Sequence, residues 1–446
     1  MIRYRILFLA LLLLLFSCSG KKQHKGHNLI IVLLDTLRAD HLSSYGYEHK
    51  TSPNIDEFAK QAVVFRRHYS HSSRTGPSVA TIFTGLYPRS HGVINPLSHW
   101  DAKGTLTKSQ TTLAEILKDY GFTCTGFITN PNIRERFGFK QGFGTYRFLR
   151  GRAGAVNEKA KEFLAGSPGK RPFFLYLHYM DTHSPYDAPK AYESFFVDPA
   201  YAGPVTGDHR QLDYIVSGKF KPTKADIRHM KALYDQELLY FDSQFGQLMD
   251  FLKKRGLFDN SVIVFLSDHG EEFVEHGMAL HGYTVYEEQL LVPLLIRAPG
   301  YSPTVVNSTT LHVDIMPTLL ELLGIKAPKP LQGSSLTPLM KGEKRKGVPV
   351  FAHTQLRAVK TVQVQSLRLS DWKLIEHRVP EKPYELYHLG RDPGELQNAA
   401  RQEPDLVKKM AARLSAFVRS LPPAKGKAVA LTPEEIEELR SLGYIE

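Results

Sequence analysis

Two short polar stretches follow apolar runs, and their residue types suit metal chemistry. Asn28-Leu-Ile-Ile-Val-Leu-Leu34 is continuously apolar after its first residue and ends directly in Asp35. Ser261-Val-Ile-Val-Phe-Leu-Ser267 is a similar run and ends in Asp268-His269-Gly270. Runs of this kind are strands buried on both faces, and open parallel sheets bind ligands beyond the carboxyl ends of their strands. Taken alone, Asp35 reads as the cap of the next segment and Asp268 as the start of a turn. Together, and followed by His269, His276 and His281, they point to one divalent cation held by carboxylate and imidazole.

A hydroxyl stands at a third position. Arg74-Thr75-Gly76-Pro77-Ser78 through Thr84-Gly85 has Pro near its start and Gly just past its end, which bounds a short helix. Thr75 then lies near the N-cap, where a threonine is a good cap. The same end of a helix stabilises anions, and a hydroxyl on a metal ionises more easily and becomes nucleophilic. Cap and nucleophile are compatible roles. Asp181-Thr182-His183-Ser184-Pro185-Tyr186 follows the run Pro172 to Tyr179. His183 is either a leaving-group acid or substrate contact, or part of a turn held by Asp181 and Pro185.

These residues need a scaffold of alternating strands and helices. A further apolar run lies at Val292 to Arg297, and helical periodicity covers Ser52 to Gln61, Thr111 to Tyr120, Lys224 to Arg255 and Val313 to Leu323. That alternation predicts an α/β fold, a mostly parallel sheet with helices on both faces. Arg152 to Lys170 and Asp198 to Thr223 read as surface connections from their Gly, Pro and charge. Lys341 to Gly347 is a charged break. Beyond it, Val348 to Ala352, Thr361 to Leu369 and Tyr384 to Leu389 suggest a small antiparallel subdomain closed by a helix over Pro404 to Ser420. The chain of 446 residues is 42% hydrophobic and 23% charged, which excludes wholesale disorder, collagen and coiled coil. Its net charge of +12 is spread along the chain without a basic helix or zinc-finger spacing. It implies a bias towards anionic surfaces or substrates, not nucleic acid.

Arg3 and Arg5 precede the apolar stretch Ile6 to Phe16, which is too short to span a membrane but suits a signal-peptide core. It ends Leu15-Phe16-Ser17-Cys18, like a bacterial lipoprotein processing site, with Cys18 acylated; an ordinary secretory signal is the other reading. Ser19 to His27 would be a polar tether. Cys124 alone would remain in the mature chain, so neither a disulfide framework nor a cysteine zinc site is expected.

The motifs, in their order, resemble the sulfatase family of the alkaline phosphatase superfamily over nearly the whole mature chain. Leu33 to Leu42 looks like its first metal-binding strand end, Thr75 to Pro88 like its nucleophile helix and Ser267 to Glu271 like its second metal-binding turn. Thr51 to Asp56, Asp181 to Tyr186, Tyr286 to Glu288 with Val292 to Leu294, Asp314 to Thr318, and Leu386 to Leu389 with Asp392, Pro393 and Glu395 are similar to other family landmarks. Five departures bear on the reaction. Thr75 replaces the Cys or Ser that becomes formylglycine, and Val79 replaces the motif's Arg. Asp35-Thr36 replaces an Asp-Asp pair, and the Gly-Lys-Trp-His segment has no match, with Thr129-Asn130-Pro131 standing nearby. His269 replaces an Asn of calcium-dependent members, which favours zinc or manganese, with calcium or magnesium possible. The remaining core is similar to the threonine phosphotransferases of the superfamily.

The resemblance implies an alkaline phosphatase-like catalytic domain over 28–340 and an α+β subdomain over 341–446, after a signal at 1–18 and a tether at 19–27. It implies a metal-dependent hydrolase or transferase acting on phosphate, phosphonate or sulfate esters. Asp35, Thr75, Asp268 and His269 would hold one divalent metal, with Thr75 as nucleophile and His183 and His281 beside the ester. The substrate would be an anionic ester of a glycan, lipid headgroup or small molecule. The protein would be an exported lipoprotein on the bilayer through Cys18, at the periplasmic or extracellular face. The other function class is a lipid-anchored binding protein with a degenerate site.

Overall fold

The computed structural model describes residues 26–94, 102–166, 171–328, 331–424 and 426–441. The expectations for Cys18 and the signal segment lie outside the described residues.

We number the strands of the two larger sheets. The first contains β1 (Asn28–Leu34), β2 (Val63–Tyr69), β3 (Thr123–Ile128), β4 (Thr145–Phe148), β5 (Phe173–Tyr179), β6 (Ser261–Leu266) and β7 (Leu291–Arg297). Two short edge pieces, β8 (Thr304–Val306) and β9 (Thr310–Leu311), join it. Its order is β8-β2-β7-β6-β1-β5-β3-β4, with β9 also on β2. β1 is central and runs parallel to β5 and β6, so Leu33 faces His178 on one side and Leu266 on the other. That register brings the carboxyl ends of three strands level. β7 is antiparallel to both neighbours, which makes the sheet mixed, though mostly parallel.

β1 and β6 are wholly buried because helices cover both faces. One face packs with α2 (Thr75–Thr84), α3 (Leu113–Asp119) and α6 (Ile315–Leu322), contributing Val79, Phe83 and Leu319 to the core. The other packs with α1 (Pro53–Ala59), α4 (Ala153–Gly166) and the 31-residue α5 (Lys224–Lys254), through Phe58, Val156, Leu238 and Phe245. Thr223 caps α5 by accepting from the Asp226 amide, while Asp226 reaches back in a capping box.

Two segments read as connections are corrected. α4 lies inside Arg152 to Lys170, and it buries Ala153, Val156, Ala160 and Leu164. That spacing is a helical stripe, hidden by the glycines at both ends. His209–Ser217 is a second helix, inside Asp198 to Thr223, capped by Asp208.

The second sheet is antiparallel: β10 (Val350–Arg357), β11 (Thr361–Leu369), β12 (Trp372–Val379) and β13 (Glu385–His388). The sequence reading lacked β12, whose charged outer residues mask its alternation. Helix α7 (Pro404–Ser420) packs on this sheet, with bounds equal to those expected. A short strand, Lys427–Ala430, then returns to pair with Ala102–Thr105, and helix α8 (Pro433–Ser441) follows.

Candidate metal and nucleophile centre

Asp35 sits one residue past β1, and its amide donates to the carbonyl of Tyr179 at 2.9 Å, extending the β1–β5 pairing. Asp268 sits two residues past β6. Adjacent parallel strands therefore bring two carboxylates together at one sheet edge. Thr36 between them has φ 57°, a conformation unusual for a β-branched residue. It is held by an exchange of bonds: Thr36 Oγ1 donates to the Thr182 carbonyl at 2.8 Å, and Thr182 Oγ1 to the Asp35 carbonyl at 2.5 Å. The Thr36 amide also points at Asp268 Oδ1, 3.4 Å away. Gly270 completes the second turn, where a Cβ would collide with the carbonyl of Glu288.

Thr75 is the first residue of α2; Arg74 is the N-cap and makes no side-chain cap bond. The hydroxyl thus does not cap its own helix. Thr75 Oγ1 lies 3.5 Å from Asp35 Oδ2 and 3.4 Å from His269 Nε2. His269 Nε2 is 3.6 Å from Asp35 Oδ1 and 3.5 Å from Asp268 Oδ2. The structure thus brings together all four expected ligands, each buried.

These donors fit a divalent cation. Asp35 Oδ1 and Asp268 Oδ2 are buried without a hydrogen-bond partner, and ligand atoms of Asp35, Asp268 and His269 all lie within 4.8 Å of one another. Burial and the neighbouring Asp268 push the Asp35 carboxyl well above its usual range, and burial pushes Asp268 up to about 7. Two carboxylates kept out of water and against each other are stabilised by a proton or by a cation between them, and the orphaned oxygens suit the cation. Burial likewise lowers His269, which leaves the imidazole neutral and able to ligate.

Two residues of this centre were given no role from the sequence, although Asn130 was noted near the missing Gly-Lys-Trp-His segment. Asn130, just past β3, donates from Nδ2 to Asp35 Oδ2 at 2.5 Å and to Thr75 Oγ1 at 3.2 Å. His178, inside β5, has Nε2 3.6 Å from Asp35 Oδ2, and burial drives its imidazole down to about 3. Both stand at carboxyl ends of strands on one side of β1, His178 on the adjacent β5 and Asn130 after β3 one strand further out, and that position is the signal that could have found them.

The three histidines of the expected stretch part company. The His281 ring lies 4.5 Å from that of His269 and 4.9 Å from that of His183, so a row of imidazoles leads away from the carboxylates. Burial holds both outer members well below the usual histidine value. His183 Nδ1 donates to the Ser184 carbonyl at 2.7 Å, which leaves the lone pair of the neutral ring on Nε2. His281 Nδ1 is 3.1 Å from Glu271, whose carboxyl burial raises to about 8. His276 does not join this row. Its Nδ1 meets Glu288 Oε1 at 2.7 Å and its Nε2 the Glu395 carbonyl at 3.2 Å. Glu272, beside it, accepts from two amides and from Thr284 and Gln289, so this second His-Glu cluster is internally satisfied.

The second sheet reaches the centre. Arg74 Nη1 donates to the Gln355 carbonyl at 2.6 Å, and Thr354 Oγ1 to that of Gly282, next to His281, at 2.8 Å. Val79, at the position of the family's arginine, is fully buried in the core, so no cation can anchor there.

The sulfatase family model matches residues 27–325, and a model for the C-terminal region of N-sulphoglucosamine sulphohydrolase matches 275–420. The chain is similar to the multifunctional alkaline phosphatase superfamily protein PehA of Trinickia caryophylli, at 25% identity over 70% of this chain and 77% of that one. It is also similar to an N-acetylglucosamine-6-O-sulfatase of Bacteroides thetaiotaomicron, at 24% identity over 86% and 85%. The phosphonate monoester hydrolase of Agrobacterium radiobacter has the same fold, with a TM-score of 0.70 at 21% identity over 91% and 100%. With a family model spanning most of its length, this chain belongs to the sulfatase family of ester hydrolases.

Proposed function

We propose that the protein transfers or hydrolyses a phosphate or phosphonate ester through Thr75, with sulfate esters as the related substrate class. One observation carries this reading: the Thr75 hydroxyl, at the first turn of α2, lies within 3.5 Å of both Asp35 and His269.

Asp35, Asp268, His269 and Thr75 would hold one divalent cation, manganese or zinc in preference to calcium or magnesium. When bound, the cation supplies positive charge that favours the ionised hydroxyl and balances the ester's oxygens. Asn130 donates to Thr75 Oγ1 and so aims a lone pair away from its own amide. The Thr75 and Gly76 amides, ahead of Pro77 at the start of α2, and the dipole of that helix end favour anionic oxygens. Thr75 loses its proton to solvent, an Oγ–phosphorus bond forms as the bond to the alcohol oxygen breaks, and the alcohol leaves with a proton. His183 and His281 are neutral without substrate because they are buried. A nearby anionic ester favours their protonated forms, which equips one of them to give that proton to the leaving oxygen. Water, or an acceptor hydroxyl, then attacks phosphorus, releases Thr75 and completes the cycle.

An alkoxide nucleophile favours phosphorus, because a phosphothreonine persists as an intermediate. Threonine cannot yield the formylglycine aldehyde, and Val79 offers that group no anchor. Convergence of four ligands argues against a binding protein with a decayed site. Export and anchoring through an acylated Cys18, with catalytic and C-terminal domains dividing near residue 340, belong to the same proposal. They are checked by the mass of the N-terminal peptide and by limited proteolysis.

The test is peptide mass spectrometry of metal-loaded protein incubated with aryl phosphodiester, phosphonate and sulfate esters. A phosphoryl-type adduct on the Thr75 peptide with released phenol is expected. Turnover that persists in Thr75→Ala would overturn the assignment.

A further inference from the structure

A cavity of about 770 Å³ is lined in part by His183, whose ring lies 4.9 Å from that of His281. Its size is that of a small-molecule site. Phe148, Leu149, Met180 and Pro185 make one wall apolar. The facing wall is the last described helix of the chain, α8, through Glu434, Glu437 and Glu438. That helix is pinned in place. The strand before it pairs with Ala102–Thr105, Arg136 bonds Glu435, and Arg134 Nη2 meets Glu438 Oε2 at 2.5 Å.

The charges around the cavity do not cancel evenly. Arg152 is committed to Glu237 at 2.8 Å and Asp187 at 2.6 Å. Arg150 lies 3.8 Å from Glu438, which Arg134 already holds. Glu434 and Glu437 are exposed and line the cavity, and among the described residues Glu437 pairs with Arg440, on its own helix, at 2.8 Å. Exposed pairs of this kind are weak. The α8 side of the cavity is therefore anionic, although the protein as a whole is strongly basic.

We infer that this cavity receives the alcohol part of the ester, and that Glu434 and Glu437 select alcohols with an apolar body and a neutral or cationic end over those carrying a second anionic group. The inference rests on the reading of His183 as the histidine beside the leaving oxygen. The ester's own anion sits at the basic and metal-binding end. The α8 carboxylates lie within a Debye length of groups in the cavity and repel further sulfate, carboxylate or phosphate there.

The experiment is titration calorimetry of the metal-loaded full chain with three phenols of similar shape: tyramine, 4-ethylphenol and 4-hydroxyphenylacetate. Tyramine is expected to bind most tightly and 4-hydroxyphenylacetate least, with a spread of roughly tenfold at low salt that shrinks at high salt. In Glu434→Gln/Glu437→Gln the three affinities converge. Leu149→Trp fills the cavity and removes binding of all three. Equal affinities, no binding of any phenol, a spread that survives the double substitution, or binding that survives Leu149→Trp would each overturn the inference. Thr75→Ala keeps the ranking while turnover disappears, which separates the two readings. A wild type that ranks the phenols but turns over no ester upholds the cavity and sinks the nucleophile. Turnover without ranking does the reverse.

Discussion

The amide of Asn130 bridges the nucleophile candidate and the first carboxylate: one Nδ2 lies 2.5 Å from Asp35 Oδ2 and 3.2 Å from Thr75 Oγ1. A single group thus sets the spacing between ligand and hydroxyl. In Asn130→Ala, kcat is expected to fall about ten- to a hundredfold, the usual cost of losing a partner that orients metal ligands. Asn130→Asp adds a third carboxylate and is expected to lose more activity while binding the cation at least as tightly. Steady-state kinetics beside metal analysis checks this; an unchanged kcat in the alanine variant would show that Asn130 does not orient Thr75.

Removal of the cation has a predictable sign. Asp35 and Asp268 are fully buried, and each is held above the usual carboxylate range by burial. Without a cation their repulsion opposes folding. With free metal a hundredfold above Kd, the folded state gains about 2.7 kcal/mol. Chelation is therefore expected to lower Tm and saturating metal to restore it. Asp268→Asn keeps the shape, relieves the repulsion and abolishes the metal response. A chelated wild type melting above the metal-loaded form would contradict the site.

Much of this centre was legible before any coordinates. Asp35, Thr75, Asp268 and His269 stand out because strand ends and a helix start are marked by abrupt changes in polarity, and those changes survive in sequence. Asn130 and His178 do not stand out. His178 looks like one more member of an apolar strand, and Asn130 is one polar residue among several in a loop. Only the strand order, which sets β5 beside β1 and β3 beside β5, brings them to Asp35. The reverse failure is His276, which the sequence places in the same stretch as His269 and His281. The chain turns at the hairpin Glu272–Phe273 with Ala279–Leu280, and that turn sends His276 towards Glu288 and Glu395. Helix α4 was lost to glycines that a loop and a helix end share.

Restoring the family's arginine is expected to fail. Val79 is fully buried on α2 within the apolar core. Val79→Arg would place an unpaired cation in the core, at a cost of several kcal/mol. The variant should melt far below the wild type or fail to accumulate, whereas Val79→Ile should fold with at most a modest loss. A stable, active Val79→Arg would mean that the core opens a path for the guanidinium towards Thr75, one turn away on the same face of α2.

His276 supplies a prediction about pH. Its Nδ1 meets the Glu288 carboxylate and its Nε2 the Glu395 carbonyl, so both ring nitrogens donate and the ring is an imidazolium. Burial acts against that charge. The hydrogen bond and charge of Glu288, with Glu272 nearby, outweigh it and hold the ring's value above the ordinary 6.5. The ring also stacks on Tyr286, with centroids 3.5 Å apart. A histidine whose folded value is raised stabilises the fold fully below its unfolded value, and that stability is lost as pH rises through the folded value. A charged hydrogen bond of this kind contributes about 1.5–3 kcal/mol. Melting temperature is therefore expected to fall as pH climbs from neutrality into the alkaline range. His276→Gln should melt lower than the wild type near pH 6 and show a smaller alkaline decline, so that the two curves converge at high pH. Curves that stay parallel across that range would mean the ring is neutral in the folded protein, with its bond to Glu288 made by the carboxyl proton instead.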